Sequence, residues 1–519
     1  MTLLSQNRGL TTKKQLEEFL NPSMDQILAC QVTDTQKAVQ RIVSAARNKQ
    51  KIIVYSDYDA DGICATAIMW ETLYDLGADV LPYVPHRIKE GYGLSKQAIT
   101  KLGKGGVKLI ITVDHGVTAV DQVAHAQSLG IDVIITDHHV LPKELPQALA
   151  IVHTTKLCGA GVAWRLAWEI VKRQRPAYKP SLLGKLELAA LATIADLVPV
   201  VGANRAIVKL GLEKLAQTER PGLKALIGES QLKRIGTYEV GHILAPRINA
   251  MGRIEHALDS LRLLCSKSQK SANELAKVLT ATNSRRQGLT TKAITHAMEM
   301  VDTTSVIGVI AHQDWHEGVI GLVASRLVET FHRPMIIIAQ GEVFSKGSAR
   351  SIPGFNIVEA IKSSSQFLVD GGGHPMAAGF TIKTEFIETF RKNITRYAQL
   401  KLSDDDLSHK IFIECELEVP DINFENLKII EKFKPFGMGN PQPLFLTHGM
   451  LVEDVRRVGP QNEHLKLQVE GLGTIGFGMG NRAAMIRPGN LVDLVFSLEE
   501  DNYNGNGNLQ LKIKDLAEF

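Results

Sequence analysis

A chain of 519 residues is too long for one ordinary hydrophobic core and points to two to four domains. Its 44% apolar and 22% charged residues are the balance of a soluble globular protein, and no apolar run reaches the roughly 18 residues that suggest a membrane span. The formal net charge of +4 is too mild to indicate nucleic acid by itself, although it leaves room for a local basic groove. Cys30, Cys64, Cys158, Cys265 and Cys415 are scattered without paired spacing. This argues against a disulfide framework or a structural zinc site and fits a reducing cytoplasm. The first twenty residues lack a charged start followed by an apolar core, so no signal peptide is expected.

Residues 1–255 alternate strand-like and helix-like patterns. The strand candidates 51–56, 79–85, 108–113 and 132–136 are continuous apolar runs, as in strands buried on both faces of a parallel sheet. Helix candidates at 63–76, 95–102 and 119–129 lie between them, which gives an α/β architecture with right-handed crossovers. Further helical patterns follow in "GVAWRLAWEIVKR" and "LLGKLELAALATIADL". Residues 271–301 read as one long helix joining two lobes, with Ser271 and Glu274 as a capping box and Gly288 as a place where it could break. A second α/β segment starts at "SVIGVIAH" (305–312) and carries "SKGSARS" and "GGGHPMAAGF". Near residue 405 the pattern changes to short strands between Gly, Pro and Asn turns, the signature of a small OB-like β-barrel. Segment 501–508, "DNYNGNGN", reads as an exposed hairpin loop. The expected division is 1–255 for the first lobe, 256–302 for connecting helices, 303–402 for the second lobe and 403–519 for the barrel.

Acids and imidazoles recur at strand ends. Asp59 and Asp61 follow the first strand candidate, Asp114 the third, and Asp137, His138 and His139 the fourth. Ligands bind at the carboxyl ends of strands in open parallel sheets, so three neighbouring strands can aim these groups into one crevice. Asp196 is a further acid, placed at a helix end. Carboxylates and imidazoles without paired cysteines suit Mn²⁺ or Mg²⁺ better than zinc. Two such ions, about 3.5–4 Å apart, can activate water and steady both oxygens of a phosphoryl displacement. If the segment stayed extended, Asp59 and Asp61 would point to the same side. A lone Asp after a strand is ordinarily a turn residue or a helix N-cap, and that reading stays open for Asp57.

"DYDADG", "VDHG", "TDHH" and "ATIADLVP" resemble the four successive motifs of DHH phosphoesterases. "PHRIKEGYGL" (85–94), "APRINAMGR" (245–253), "NSRRQ" (283–287) and "GGGHPMAAGF" (371–380) narrow the resemblance to the RecJ single-stranded-DNA exonucleases, over nearly the whole chain. The resemblance implies that Asp59, Asp61, Asp114, His138 and Asp196 are ligands of two Mn²⁺ or Mg²⁺ ions. It places His139 opposite the scissile phosphate, as a transition-state stabiliser or a member of the metal site. Asp137 would orient a neighbouring His, and Asp57 stays open between a supporting carboxylate and a structural turn. Tyr55 stands where the wider superfamily often has a His, which RecJ-like chains also lack. Ser56 stands where Gly is common, and the segment before Leu157 looks shorter than in most relatives.

A phosphodiester strand needs cations and amides along its path. Arg87, then Arg247, Asn249 and Arg253, then Ser348 and Arg350, and His374 beside three glycines are the candidates. In "WHEGVIG" (315–321) Trp315 reads as core and His316 as a lobe-interface residue, and Phe436 reads as packing. The expected function is a 5′-to-3′ exonuclease in DNA repair and recombination that releases mononucleotides from single-stranded DNA. A helicase and a single-strand-binding protein are partners the resemblance implies; a monomer without membrane association is expected. The alternatives are a phosphodiesterase of short oligonucleotides or cyclic dinucleotides, and a non-catalytic nucleic-acid-binding scaffold.

Overall fold

All but the first residue of Lys51–Tyr55 (β1) are buried, as expected of a strand covered on both faces. In the computed structural model, which describes residues 1–91, 93–501 and 507–518, β1 pairs in parallel with Val80–Tyr83 (β2) and Val107–Val113 (β3). The sheet continues in parallel through Asp132–Asp137 (β4) and Ala150–His153 (β5), in the order β2-β1-β3-β4-β5. Four of these strands match the expected runs. Strand β5 was not anticipated, because "AIVH" is short and follows a Pro-rich stretch without a bounding turn signal. Connections from β1 and β3 diverge, which opens a crevice at their carboxyl ends.

The helices behind the sheet are buried almost all round. Ala60–Asp75 and Leu186–Ala195 bury Ile63, Ile68, Met69, Leu188 and Leu191 in one cluster with Trp164. Small residues let backbones approach closely. A Cβ at Gly62 would lie 2.7 Å from Asp57 Cβ, so the helix after β1 can start directly behind that aspartate only with glycine there.

Gln269–Met300 is a single unbroken helix of 32 residues. Its N-cap is Ser268, whose hydroxyl accepts from Ser271 N at 3.4 Å, so Ser271 lies inside the first turn and the expected capping box with Glu274 is not the start. Gly288 does not break the helix. It faces open space, where glycine costs about 1 kcal/mol relative to alanine, less than the continuous hydrogen-bond ladder supplies.

In the second lobe, Gly308–His312 (β6), Met335–Ala339 (β7), Phe344–Arg350 (β8), Leu368–His374 (β9) and Ala377–Lys383 (β10) form a sheet in the order β6-β7-β8-β10-β9. Only β6 and β7 are parallel, and the rest is antiparallel. Trp315 is buried in this lobe's core beside the long helix. Strand β9, which holds the three glycines, is the exposed edge.

Beyond a short strand at Cys415–Glu416 (β11), the chain forms Phe445–Val458 (β12), His464–Val469 (β13), Leu472–Ile475 (β14), Leu491–Glu500 (β15) and Leu509–Glu518 (β16). The pairings run β12-β13-β14-β16-β15 and return to β12, closing a five-stranded barrel. Phe436 packs against its core. Of the expected hairpin loop at 501–508, residues 502–506 lie outside the described residues; its flanks pair as Glu500 with Leu509, and Asp501 N donates to Asn508 O at 2.7 Å.

Leu4 and Phe19 also belong to the barrel's hydrophobic cluster, so the first twenty residues pack with the C-terminal unit as well as against the first lobe, where Arg205 lies over the Phe19 ring at 3.7 Å. Buried Arg205 joins the units. Its guanidinium donates to Phe19 O at 2.6 Å, Lys434 O at 2.7 Å and Pro435 O at 3.1 Å. Among the described residues no helix is long and apolar enough to cross a membrane.

Candidate metal centre and substrate cleft

The carboxylates after β1 do not share one side of an extended segment. Asp59 is the N-cap of the helix Ala60–Asp75, and its Oδ1 accepts from Asp61 N at 2.9 Å and Gly62 N at 3.0 Å. Asp61 lies in the first helical turn and points elsewhere: its carboxylate accepts from Gly159 N at 2.6 Å and Ala160 N at 2.7 Å, at the start of the helix Gly159–Gln174. A helix N-terminus favours an anion there. Asn249 secures the same turn by accepting from Ala60 N at 2.7 Å.

Asp114 follows β3 in a left-handed conformation (φ 68°), which aspartate tolerates better than most residues. A Cβ at Gly159 would lie 2.4 Å from Asp114 Oδ1, so glycine is required beside it. Nε2 of His138 lies 3.1 Å from Asp114 Oδ1, 3.6 Å from Asp196 Oδ2 and 3.8 Å from Asp61 Oδ2. Asp196 caps the carboxyl end of Leu186–Ala195. Ligand atoms of Asp61, His138 and Asp196 lie within 4.8 Å of one another, as do those of Asp114, His138 and His139 and those of Asp57, Asp59 and Asp114. Asp57, left open by the sequence, is thus brought into the cluster while its Oδ1 also accepts from Tyr58 N.

The electrostatics call for cations. Burial, then neighbouring carboxylates, pushes the pKa of Asp57, Asp61, Asp114 and Asp196 upward. Burial, then the His139 charge, lowers His138 to about 4, which leaves it a neutral ligand. Asp114 Oδ1 is buried without a hydrogen bond. A carboxylate and imidazole donor set with an unsatisfied buried carboxylate oxygen fits Mn²⁺ or Mg²⁺, and the side chains that could hold such ions are Asp57, Asp59, Asp61, Asp114, His138 and Asp196.

Asp137 has a different task. Its Oδ1 accepts from His138 N, His139 N and His139 Nδ1 (2.7 Å), and its Oδ2 from Val117 N at 3.0 Å. Burial opposes the charge, but these bonds outweigh it and hold the carboxyl well below its ordinary range. Burial likewise disfavours charged His139, yet the Asp137 bond outweighs it and raises the imidazole pKa. His139 stacks on His374 of the second lobe with ring centroids 5.7 Å apart and planes 17° apart.

The basic candidates gather beside this centre. Arg87 lies over the Tyr58 ring at 4.9 Å. Arg253 donates to Gly318 O at 3.4 Å, and burial together with Arg87, Arg286 and Arg350 lowers its pKa to about 10. Arg350 donates to Ala349 O at 2.8 Å and Ser348 Oγ at 3.3 Å, and burial and Arg87 lower its pKa. Arg247 is not brought to this group: it bonds Ile243 O and Thr280 Oγ1 on another face of Ala245–Ile254. The glycines of β9 serve its pairing, since a Cβ at Gly373 would lie 2.3 Å from Ala377 O.

Two groups escaped sequence reasoning. Arg286, whose Nε is buried without a hydrogen bond, lies inside the quoted "NSRRQ" and could have been singled out there. His115, in "VDHG", is buried with Nε2 3.1 Å from Tyr55 O, and burial lowers its pKa to about 4. No periodicity marks it.

A parallel sheet with this cluster at its carboxyl ends, a second mixed lobe and a long connecting helix define the DHH class of phosphoesterase architecture. Residues 51–195 match the DHH family, N-terminal domain, 302–400 the DHHA1 domain and 413–515 the RecJ OB domain. The chain belongs to the RecJ family. It is 39% identical over 538 residues to the single-stranded-DNA-specific exonuclease RecJ of Bacillus subtilis (strain 168), covering 98% of this chain and 67% of that protein. It is 32% identical to the Escherichia coli (strain K12) RecJ, over 98% of this chain and 94% of that one. The crystal structure of RecJ in complex with Mn²⁺ from Thermus thermophilus superposes with a TM-score of 0.87 at 31% identity, covering 99% of this chain and 75% of that chain. The Mg²⁺ complex from the same source gives 0.81 at 30% identity, over 99% and 74%.

Proposed function

We propose that this protein is a metal-dependent exonuclease that digests single-stranded DNA from its 5′ end and releases mononucleotides. The observation that carries this reading is the placement of the acidic cluster beside Arg87, Arg253 and Arg350, with His139 stacked on His374 between the lobes. The relatives named above are named as single-stranded-DNA-specific exonucleases, which supports the substrate and the reaction class.

Bound Mn²⁺ or Mg²⁺ would supply Lewis-acid polarisation of the phosphate and lower the pKa of an attacking water. The side chains do the rest. Asp137 fixes the ring of His139 through Nδ1 and leaves Nε2 to donate to a phosphate oxygen as negative charge builds. Its raised pKa keeps that proton on the ring nearer neutrality. Arg87, Ser348 and Arg350 receive the terminal 5′ phosphate, and Arg253 and Arg286 offer charge to the next phosphodiester. Asn249 and Gly159 act on the carboxylates and their turn, not on the substrate. The barrel leads a long strand toward the cleft by stacking and backbone contacts. A helicase and a single-strand-binding protein supply that strand, and the enzyme works as a monomer in the cytoplasm.

The test is digestion of a long 5′-labelled single strand beside a dinucleotide in Mn²⁺. Early release of labelled mononucleotide from the long strand is expected. Preference for the dinucleotide, or release beginning at the 3′ end, overturns the reading.

A further inference from the structure

A cavity of about 1190 Å³ lies on the other side of the segment that carries His138 and His139, and none of the metal-centre carboxylates lines it. Its walls come from the loop around residues 28–36, the short segment before Leu157 and the exposed face of Gly159–Gln174. Arg165 is central to it. This residue is 9% exposed; its Nη1 forms a long ion pair with Glu169 Oε1 at 3.6 Å, and its Nε makes no hydrogen bond. A guanidinium desolvated to that degree, with one long ion pair and a buried N–H lacking an acceptor, gains from a ligand that supplies closer ones. Four cationic side chains line the cavity (Lys156, Arg165, Lys172 and Arg173) against the single carboxylate of Glu169. Leu28, Val32, Val39, Val140 and Leu141 add apolar surface to the lining.

We infer that this cavity binds a nucleoside 5′-monophosphate, with the phosphate on Arg165 and the base against the apolar side chains. The volume exceeds what a phosphate alone needs and leaves room for a whole nucleotide, being somewhat above the roughly 300–1,000 Å³ of ordinary small-molecule sites. A lining that combines several cations with aliphatic side chains suits an anion joined to a flat, largely apolar body. The pocket also touches the catalytic segment: Val140 and Leu141 follow His139, and His153 holds His139 O at 2.7 Å through Nε2. The choice of a mononucleotide as the anion rests on the proposed exonuclease activity, which releases that class of molecule, whereas the preference for an anion rests on the cavity alone.

Thymidine 5′-monophosphate is titrated calorimetrically into the Mn²⁺-loaded full chain carrying Arg350→Ala, so that the cleft's own phosphate pocket does not compete. Saturable binding is expected, and Arg165→Met in that background weakens it about tenfold or more. Unchanged affinity overturns the proposal, as does equal binding of thymidine without its phosphate or tighter binding of an acidic peptide. Inorganic phosphate that binds as tightly as the nucleotide overturns the nucleotide assignment. Should Arg165→Met not fold, Lys156→Ala with Arg173→Ala, both at exposed positions, gives the same test with an expected loss of about threefold or more, and no loss overturns the site. Hydrolysis of single-stranded DNA by the unmodified chain is measured alongside. Its absence overturns the proposed activity and leaves the binding result to stand by itself.

Discussion

The acidic cluster of the first lobe and the arginines beside it are both like-charge groups held out of water, yet they meet that condition differently. Asp57, Asp61 and Asp114 are buried, and their carboxyl groups respond by moving their pKa upward toward the neutral form. Arg253 and Arg350 are only half-buried, and guanidinium keeps its charge even when its pKa falls to about 10. One cluster can relieve its repulsion by taking protons or metal ions. The other can relieve it only by taking an anion. The two clusters feel each other, Arg87 lowering the pKa of Asp57 and Asp59 raising that of Arg253, but among the described residues no ion pair joins Arg87, Arg253 or Arg350 to these carboxylates, and burial dominates both shifts. Each cluster is therefore kept for something the chain does not itself provide.

Removing one member from each side should separate the two roles. Asp114→Ala is expected to lower single-turnover hydrolysis by about 10³-fold or more, roughly 4 kcal/mol of transition-state stabilisation, while strand binding read by fluorescence anisotropy stays nearly constant. Turnover at the unmodified rate would take Asp114 out of the metal set. Asp137→Asn keeps the shape but loses the carboxylate that fixes His139, and a fall of about 10–100-fold in kcat is expected, with the pH–rate profile shifting on the limb governed by that imidazole. An unaltered profile would detach Asp137 from His139. On the basic side, Arg350→Ala should weaken binding of a 5′-phosphorylated strand about tenfold relative to a 5′-hydroxyl strand and lower the salt slope by about one. Equal losses for both strands would place Arg350 on the internal backbone instead.

The smallest effect concerns stability and pH. Asp196 has a folded pKa of about 8, raised by burial and then by Asp61. An acid whose pKa is raised on folding stabilises the fold while protonated, and that stability is lost as pH climbs from the unfolded value toward the folded one. His139, raised as well, loses its contribution in the same direction. His138, lowered to about 4, works the opposite way, but only below its ordinary value near 6.5. Metal-free protein should therefore melt a few degrees lower at pH 8 than at pH 6.5, and saturating Mn²⁺ should erase that slope. A melting temperature that rises over this interval without metal would contradict the upward shifts of the acids.

Much of this was legible because β-sheet chemistry is local. Apolar runs ending in Asp or His announced β1, β3 and β4 and the crevice at their ends, and the order of motifs gave the family. What was hidden depends on contacts distant in sequence. Asp61 is held by amides of Gly159 and Ala160, roughly a hundred positions away, and no spacing rule could show that it turns from Asp59. Asp57 could not be told from a turn residue until its distance to Asp114 was known. Arg247 and Arg253 sit in one short motif, but a helix sends them to different faces, and only Arg253 reaches the cleft. The capping residue of the long helix was misplaced by three positions because Ser268 and Ser271 are equally good caps by composition.

That helix sets a mechanical tolerance for the whole reaction. Its 32 residues span about 48 Å, with one end packed on the first lobe and the other on Ile320–Phe331 of the second. A rod of that length converts a one-degree bend into a displacement of roughly 0.8 Å at its tip, and misplacement of about 1 Å can cost a hundredfold in rate. The unbroken run of this helix between the lobes thus acts as the gauge that keeps His374 over His139. Any change that softens its middle, near Gly288, would be read out as lost turnover far from the metals.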